Sequence, residues 1–266
     1  SLKKHYTYDM ENILFYFIDA RGQLCNYAQD GTVTKFWRSD YAKSVQVAHD
    51  GTVWIIQQQP NKNGGSMIQY WDAKNELFRD GHNTHLGPGA ISLMSTMTNG
   101  VLYVEENGNI GKITETERYD KYEIFHKYRA ASVDVVGNGY LWAIGSKWDA
   151  NNDGYKVSFR NFKGASDWTF MKTDIDAVRL SAYNGNCYTI TSHNEVVAYD
   201  TKGNVGHWSP EGEFFAFQVS AGKSGLFVIS SEVDTKLGGN IVKKWNSSAE
   251  AWDKLPVVAT SICAMI

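Results

Sequence analysis

Apolar residues along the chain fall either at every second position or in unbroken runs, and hardly any stretch places them at i, i+3, i+4 and i+7 over three turns. The pattern predicts strands almost throughout. The separators are Asn, Asp, Gly and Lys, and they recur in a fixed frame. Asp50-Gly-Thr-Val-Trp54, Asn99-Gly-Val-Leu-Tyr103, Asn138-Gly-Tyr-Leu-Trp142 and Asn184-Gly-Asn-Cys-Tyr188 each join a turn dipeptide to a large aromatic. Asn-Gly and Asp-Gly supply the positive φ of a tight hairpin. Ser224-Gly-Leu-Phe-Val228 and Glu11-Asn-Ile-Leu-Phe15 are degenerate copies, and the second residues of the six turns lie 39 to 49 residues apart.

A period of roughly 40–50 residues, each holding several short strands, is that of a propeller blade. The second repeat supplies strands at Ser44 to Ala48, Val53 to Gln57, Met67 to Trp71 and Glu76 to Phe78. The fourth supplies Ser132 to Val136, Tyr140 to Ile144, Lys156 to Phe159 and Trp168 to Met171. The expected fold is therefore an all-β, six-bladed β-propeller with four-stranded antiparallel blades, a single domain over residues 1–266. Thr260 to Ile266 reads as an innermost strand without a hairpin partner, so the N- and C-terminal segments are expected to close one blade together. His5 to Tyr8 is the competing choice for that strand. A sandwich has no reason to reset at this period.

Composition adds a large core and few partners. The 266 residues include 12 Phe, 9 Trp and 15 Tyr, ample for burial. A net charge of −3, with basic neighbours only at Lys3-Lys4 and Lys243-Lys244, gives no footprint for nucleic acid. No apolar run is long enough to be a membrane helix. Cys25, Cys187 and Cys263 sit singly in apolar segments and read as free buried thiols. Ser1 in place of Met allows a processed start or a larger parent, which leaves secreted, cell-surface and cytoplasmic locations open.

Val47-Ala-His-Asp-Gly-Thr-Val-Trp54, Val133-Asp-Val-Val-Gly-Asn-Gly-Tyr-Leu-Trp142, the outer-strand Trp168, Trp208 and Trp252, and Ala251-Trp-Asp-Lys-Leu-Pro256 resemble the blades of the tectonin family of β-propeller lectins. The resemblance runs through all six repeats. Tyr103 and Tyr188 stand where the family has Trp, Val228 and Phe15 depart further, and these repeats are longer than is usual. The resemblance implies a non-enzymatic lectin for microbial or cell-surface glycans or glycolipids, needing no cofactor. A protein-interaction or targeting propeller of a larger protein is the alternative, and a carbohydrate-active hydrolase or lyase the second. No G-x-S-x-G elbow or sialidase-type Asp box is present.

The repeated Trp54, Trp142 and Tyr188 are expected to pack between sheets, so function is sought where repeats differ. Long segments follow the second strand of alternate blades, at Gln57 to Ser66, Gly145 to Tyr155 and Ser230 to Asn240. Strand alternation puts them on one face with the blade connections, including Arg79-Asp-Gly-His-Asn-Thr-His-Leu-Gly-Pro-Gly89. The candidate ligand-binding residues there are Trp148, Asp149, Asn151, His82 and His85, with Trp148 supplying stacking because it lies outside the repeat frame. Asp149, Asn151 and Asp153 form D-x-N-x-D-G with Gly154, the first half of a calcium loop. Arg160 stands where a bidentate carboxylate belongs, so a plain polar hairpin is the other reading. His82 and His85, near Asp80, are the remaining nitrogen and oxygen donors in this region.

Overall fold

The computed structural model describes residues 12–36, 41–95, 99–119, 130–135, 139–151, 154–161, 167–172, 177–208 and 214–266. They form six small antiparallel sheets arranged as a six-bladed β-propeller. Blade one consists, from the axis outward, of β24 (Ser261–Ala264), β1 (Ile13–Ile18), β2 (Leu24–Ala28) and β3 (Val33–Phe36). Blade two holds β4 (Ala42–Val47), β5 (Val53–Pro60), β6 (Ser66–Asp72) and β7 (Leu77–Asp80). Blade three holds β8 (Ser92–Ser95), β9 (Val101–Val104), β10 (Ile110–Ile113) and β11 (Arg118–Tyr119). Blade four holds β12 (Ala130–Val135), β13 (Tyr140–Asp149), β14 (Gly154–Asn161) and β15 (Thr169–Phe170). Blade five holds β16 (Ala177–Tyr183), β17 (Asn186–Thr191), β18 (Val196–Asp200) and β19 (Val205–His207). Blade six holds β20 (Ala216–Gly222), β21 (Gly225–Asp234), β22 (Gly239–Asn246) and β23 (Ala251–Val258).

The expected closure holds. Strand β24 pairs with β1 through Phe15–Ala264, Tyr16–Cys263, Phe17–Ile262 and Ile18–Ser261, so the C-terminal strand takes the innermost place. The competing segment His5 to Tyr8 lies outside the described residues. At four of the six junctions, one position on the inner strands joins a blade to the next. Its side chain accepts a hydrogen bond from a backbone N–H of the following blade: Ser181 Oγ from Ala221 (3.0 Å), Ser220 Oγ from Ala264 (2.8 Å), Cys263 Sγ from Val47 (3.4 Å) and Asp134 Oδ2 from Ala182 (2.7 Å). The terminal strand is thus bonded to blade six on one side and blade two on the other. Burial pushes the Cys263 thiol up to about 12, so it stays protonated and unreactive there.

Trp54, Trp142 and Tyr188 do pack between sheets, Trp54 and Trp142 fully buried. The repeat frame is off by one in three blades, however. Strand pairing puts Tyr16, Trp54, Leu102, Trp142, Tyr188 and Phe227 at one position, opposite Cys263, Gln46, Met94, Asp134, Ser181 and Ser220. Phe15, Tyr103 and Val228 sit one residue away and turn to the preceding blade, Tyr103 joining the Trp54 cluster and Phe15 that of Phe227. The turns differ by one residue, and with a side-chain period of two each slip exchanges faces. Gly111 pairs with Tyr103 and makes room for its ring, since a Cβ there would meet the Tyr103 Cζ at 2.4 Å.

Candidate binding face

The three long segments are β-ribbons rather than loops. In each, pairing lapses after Ile56, Ile144 or Ile229 and resumes four residues on, at Pro60–Ser66, Trp148–Tyr155 and Val233–Asn240. Blades one, three and five instead make tight turns closed by Asp19 N to Gln23 O, Glu105 N to Asn109 O and Thr191 N to Glu195 O. The start of each returning ribbon strand is bonded to the entry of the next blade, through the Ser66–Ala90 bridge, the Tyr155–Ala177 pair and the bond from Ala259 N to Asn240 O. The ring is therefore built of stitched blade pairs, two with three, four with five and six with one, with pseudo-threefold symmetry. Gly89 makes the first stitch possible, because a Cβ there would lie 2.2 Å from the Ser66 carbonyl oxygen.

His82 and His85 belong to a connection fastened to the second-blade ribbon and to blade three. Thr84, fully buried, accepts Ile68 N on its hydroxyl (3.3 Å) and Asn61 Nδ2 on its carbonyl (2.7 Å). Asn63 Nδ2 donates to the His85 carbonyl (3.3 Å), His82 N to the Thr114 carbonyl (3.1 Å), and Arg118 to the carbonyls of Asn83 (3.0 Å) and Pro88. The His82 ring is half-buried beside Asn83 Nδ2, while His85 is exposed. Asp80 takes Gln69 Nε2 on Oδ1 (2.9 Å), which directs its carboxylate along the sheet.

Asp149 and Asn151 lie at the tip of the fourth-blade ribbon. Asp149 Oδ1 accepts Asn151 N (3.0 Å) and Oδ2 pairs with Lys156 Nζ (3.3 Å), an Asx turn closed by an ion pair. Asp153 and the side chain of Trp148 lie outside the described residues; the Trp148 backbone pairs with Tyr155. The expected ligand residues thus occupy two places on the ribbon face, the His82 connection bonded to blades two and three and the Asp149 turn on blade four. Among the described residues no three His, Cys, Asp or Glu side chains come together as metal donors, and no helix is long and apolar enough to cross a membrane.

Two concavities flank blade two. A cleft of about 380 Å³ lies on the face opposite the ribbons, between the Asp50-Thr52 and Asp72-Asn75 turns. The Asp72 carboxylate there is held well below the usual carboxylate range, first by the hydrogen bond from Arg79 Nε (2.6 Å) and then by Asn75. A groove of about 570 Å³ opens on the side that faces blade one, lined by Tyr41, Gln57, Gln59, Gln69 and Phe78. Tyr41 is 66% exposed. Gln57 Nε2 donates to Gln69 Oε1 (2.6 Å) and Gln69 passes the relay to Asp80. Sequence reading missed these residues; the signal was the polar run Gln57-Gln58-Gln59 ending the apolar strand Val53-Ile56.

No protein-family model and no curated protein sequence matches the chain. Solved structures match its fold. The chain is similar to one in the crystal structure of a nidogen/laminin complex, with TM-score 0.66 and 10% identity over 96% of this chain and 98% of that one. It is similar to 26% of the tricorn protease, with TM-score 0.62 and 9% identity over 93% of this chain. It also resembles the RRP9 WD40 repeats, with TM-score 0.51 and 10% identity over 95% of this chain and 80% of that one. At these identities the likeness is one of fold, and the fold is the β-propeller.

Proposed function

We propose that the chain is a non-enzymatic recognition protein that binds glycans, microbial or cell-surface, through its ribbon face and without a cofactor. The observation that carries this reading is a repeated exposed ring. Tyr41 and Phe215 immediately precede the inner strands of blades two and six, at positions matched by Ala42 and Ala216, and are 66% and 57% exposed. Both are held by equivalent backbone bonds, Gln58 N to Tyr41 O and Ser231 N to Phe215 O. Exposed rings beside amide side chains suit a sugar, whose apolar face stacks while its hydroxyls donate and accept.

A protein-interaction propeller is the second reading, supported by the exposed Phe215, Phe217, Val233 and Leu237 on the sixth blade and its ribbon. A glycan array run beside a pull-down separates the two. Saturable, sugar-competable array binding supports the lectin. A specific protein captured by a chain that is silent on the array supports the interaction propeller.

A further inference from the structure

Two of the three interfaces that carry no ribbon stitch, between blades one and two and between blades five and six, are built from matching positions with opposite outcomes. Gln69 and Lys243 are equivalent, paired with Ile55 and Val228, and so are Phe78 and Trp252, paired with Trp71 and Trp245. Between blades five and six the chain fills the space itself. Phe214 lies in the core cluster of that interface, with Lys243 Nζ 3.8 Å from its ring centroid and Trp252 edge-on to it at 6.2 Å. Counted back from the matched alanines Ala42 and Ala216, the sequence position corresponding to Phe214 holds Asp40, which lies outside the described residues. The space on the blade-two side is the 570 Å³ groove.

We infer that the groove on the blade-one side of blade two is the seat of a neutral sugar residue, and that its counterpart on the blade-five side of blade six is closed by Phe214. This rests on the glycan reading above and names its site.

Three features specify the ligand. The relay from Gln57 through Gln69 to Asp80 fixes the orientation of both amides. Each amide retains a second N–H, and the Gln57 carbonyl adds an acceptor, the mixed set that a pair of hydroxyls requires. Among the described residues the lining is uncharged, and Asp80 stands at the end of the relay from Gln69, so an anionic sugar or phosphate meets a carboxylate there.

The third feature is Tyr41 itself, whose φ of +67° puts a bulky side chain in the left-handed region. The other non-glycine residues found there among the described residues are Asn and Glu. Tyrosine is less easily held in that region than asparagine, and such strain is kept where a side chain is needed in place. An exposed ring contributing little to the core, held at a strained position over a polar groove, fits stacking on a sugar.

The test uses the intact chain and neutral, hexose-terminated oligosaccharides on an array, beside sialylated and phosphorylated ones, with affinities of hits measured by calorimetry. Tyr41→Asn is expected to weaken binding about fivefold or more by loss of one stacking contact, with a melting temperature equal to or above that of the parent. Gln69→Leu is expected to weaken binding about tenfold or more, because the sugar hydroxyl and Gln57 both lose a partner. Val205→Ser, on the outer strand of blade five, should bind as the parent does. If neutral glycans bind and both groove variants retain full affinity, the seat is elsewhere while the lectin reading stands. Binding confined to anionic glycans overturns the groove chemistry alone. Silence on the whole array overturns both.

Discussion

Lys243 Nζ stands 3.8 Å from the centroid of the Phe214 ring, and the same ammonium donates to Glu232 Oε1 at 2.8 Å. A lysine only 3% exposed is thereby paired with a carboxylate and covered by an aromatic face, which offsets the cost of burying its charge. Phe214→Ala should cost about 3–5 kcal/mol of stability as a core truncation, read by urea denaturation. Phe214→Leu should cost clearly less. Equal stability of parent and Ala variant would mean that Phe214 closes nothing.

The same group sets an acid dependence. Hydrogen bonds from Lys243 and then Lys254 hold the Glu232 carboxyl below its ordinary 4.5. A carboxyl depressed in the folded chain contributes stability that is present above its unfolded value and lost as pH falls through the folded one. Unfolding free energy should therefore decline as pH drops below about 4.5, and Glu232→Gln should flatten that decline. An identical acid slope in parent and variant would remove Glu232 from the explanation.

Ring closure gives a sharper prediction. Deleting Thr260 to Ile266 removes β24, its pairing with β1, and the bonds from Val47 to Cys263 and from Ala264 to Ser220. The edge of β1 is left unpaired and the terminal interfaces open. Circular dichroism should show a lower and broader melt for the whole chain. A truncated chain melting like the parent would contradict the closure.

The ion pair of Asp149 with Lys156 and its Asx turn with Asn151 occupy the carboxylate that half a calcium loop would use. Calorimetry at millimolar calcium should show no saturable heat and no rise in melting temperature. Saturable heat that disappears in an Asp149→Ala/Asp153→Ala double variant would restore the metal site.

The number of blades, most strand positions and the closure were legible because Asn-Gly and Asp-Gly turns mark hairpins by a local backbone requirement. Register was not. Gly100 and Gly225 stand one residue nearer their strands than Gly51 does, so the turn frame mistook Tyr103 and Val228 for the counterparts of Trp54. The ribbons read as loops because Asn, Gly and Lys at their tips hide the pairing that resumes at Pro60, Trp148 and Val233. Tyr41 and the glutamine relay escaped notice for a further reason. Gln57, Gln69 and Asp80 are separated in sequence and become one hydrogen-bonded row only when β5, β6 and β7 pair.

The central claim is that the ribbon face recognises glycans at the groove on the blade-one side of blade two, and residue-resolved amide hydrogen exchange with a neutral oligosaccharide tests it most directly. Added sugar should slow exchange at Tyr41, at Gln57 to Gln59 and around Gln69, and leave the Asp50 to Thr52 and Asp72 to Asn75 turns unchanged. Protection of those turns, which border the cleft on the opposite face, or no protection by any neutral oligosaccharide, would contradict it.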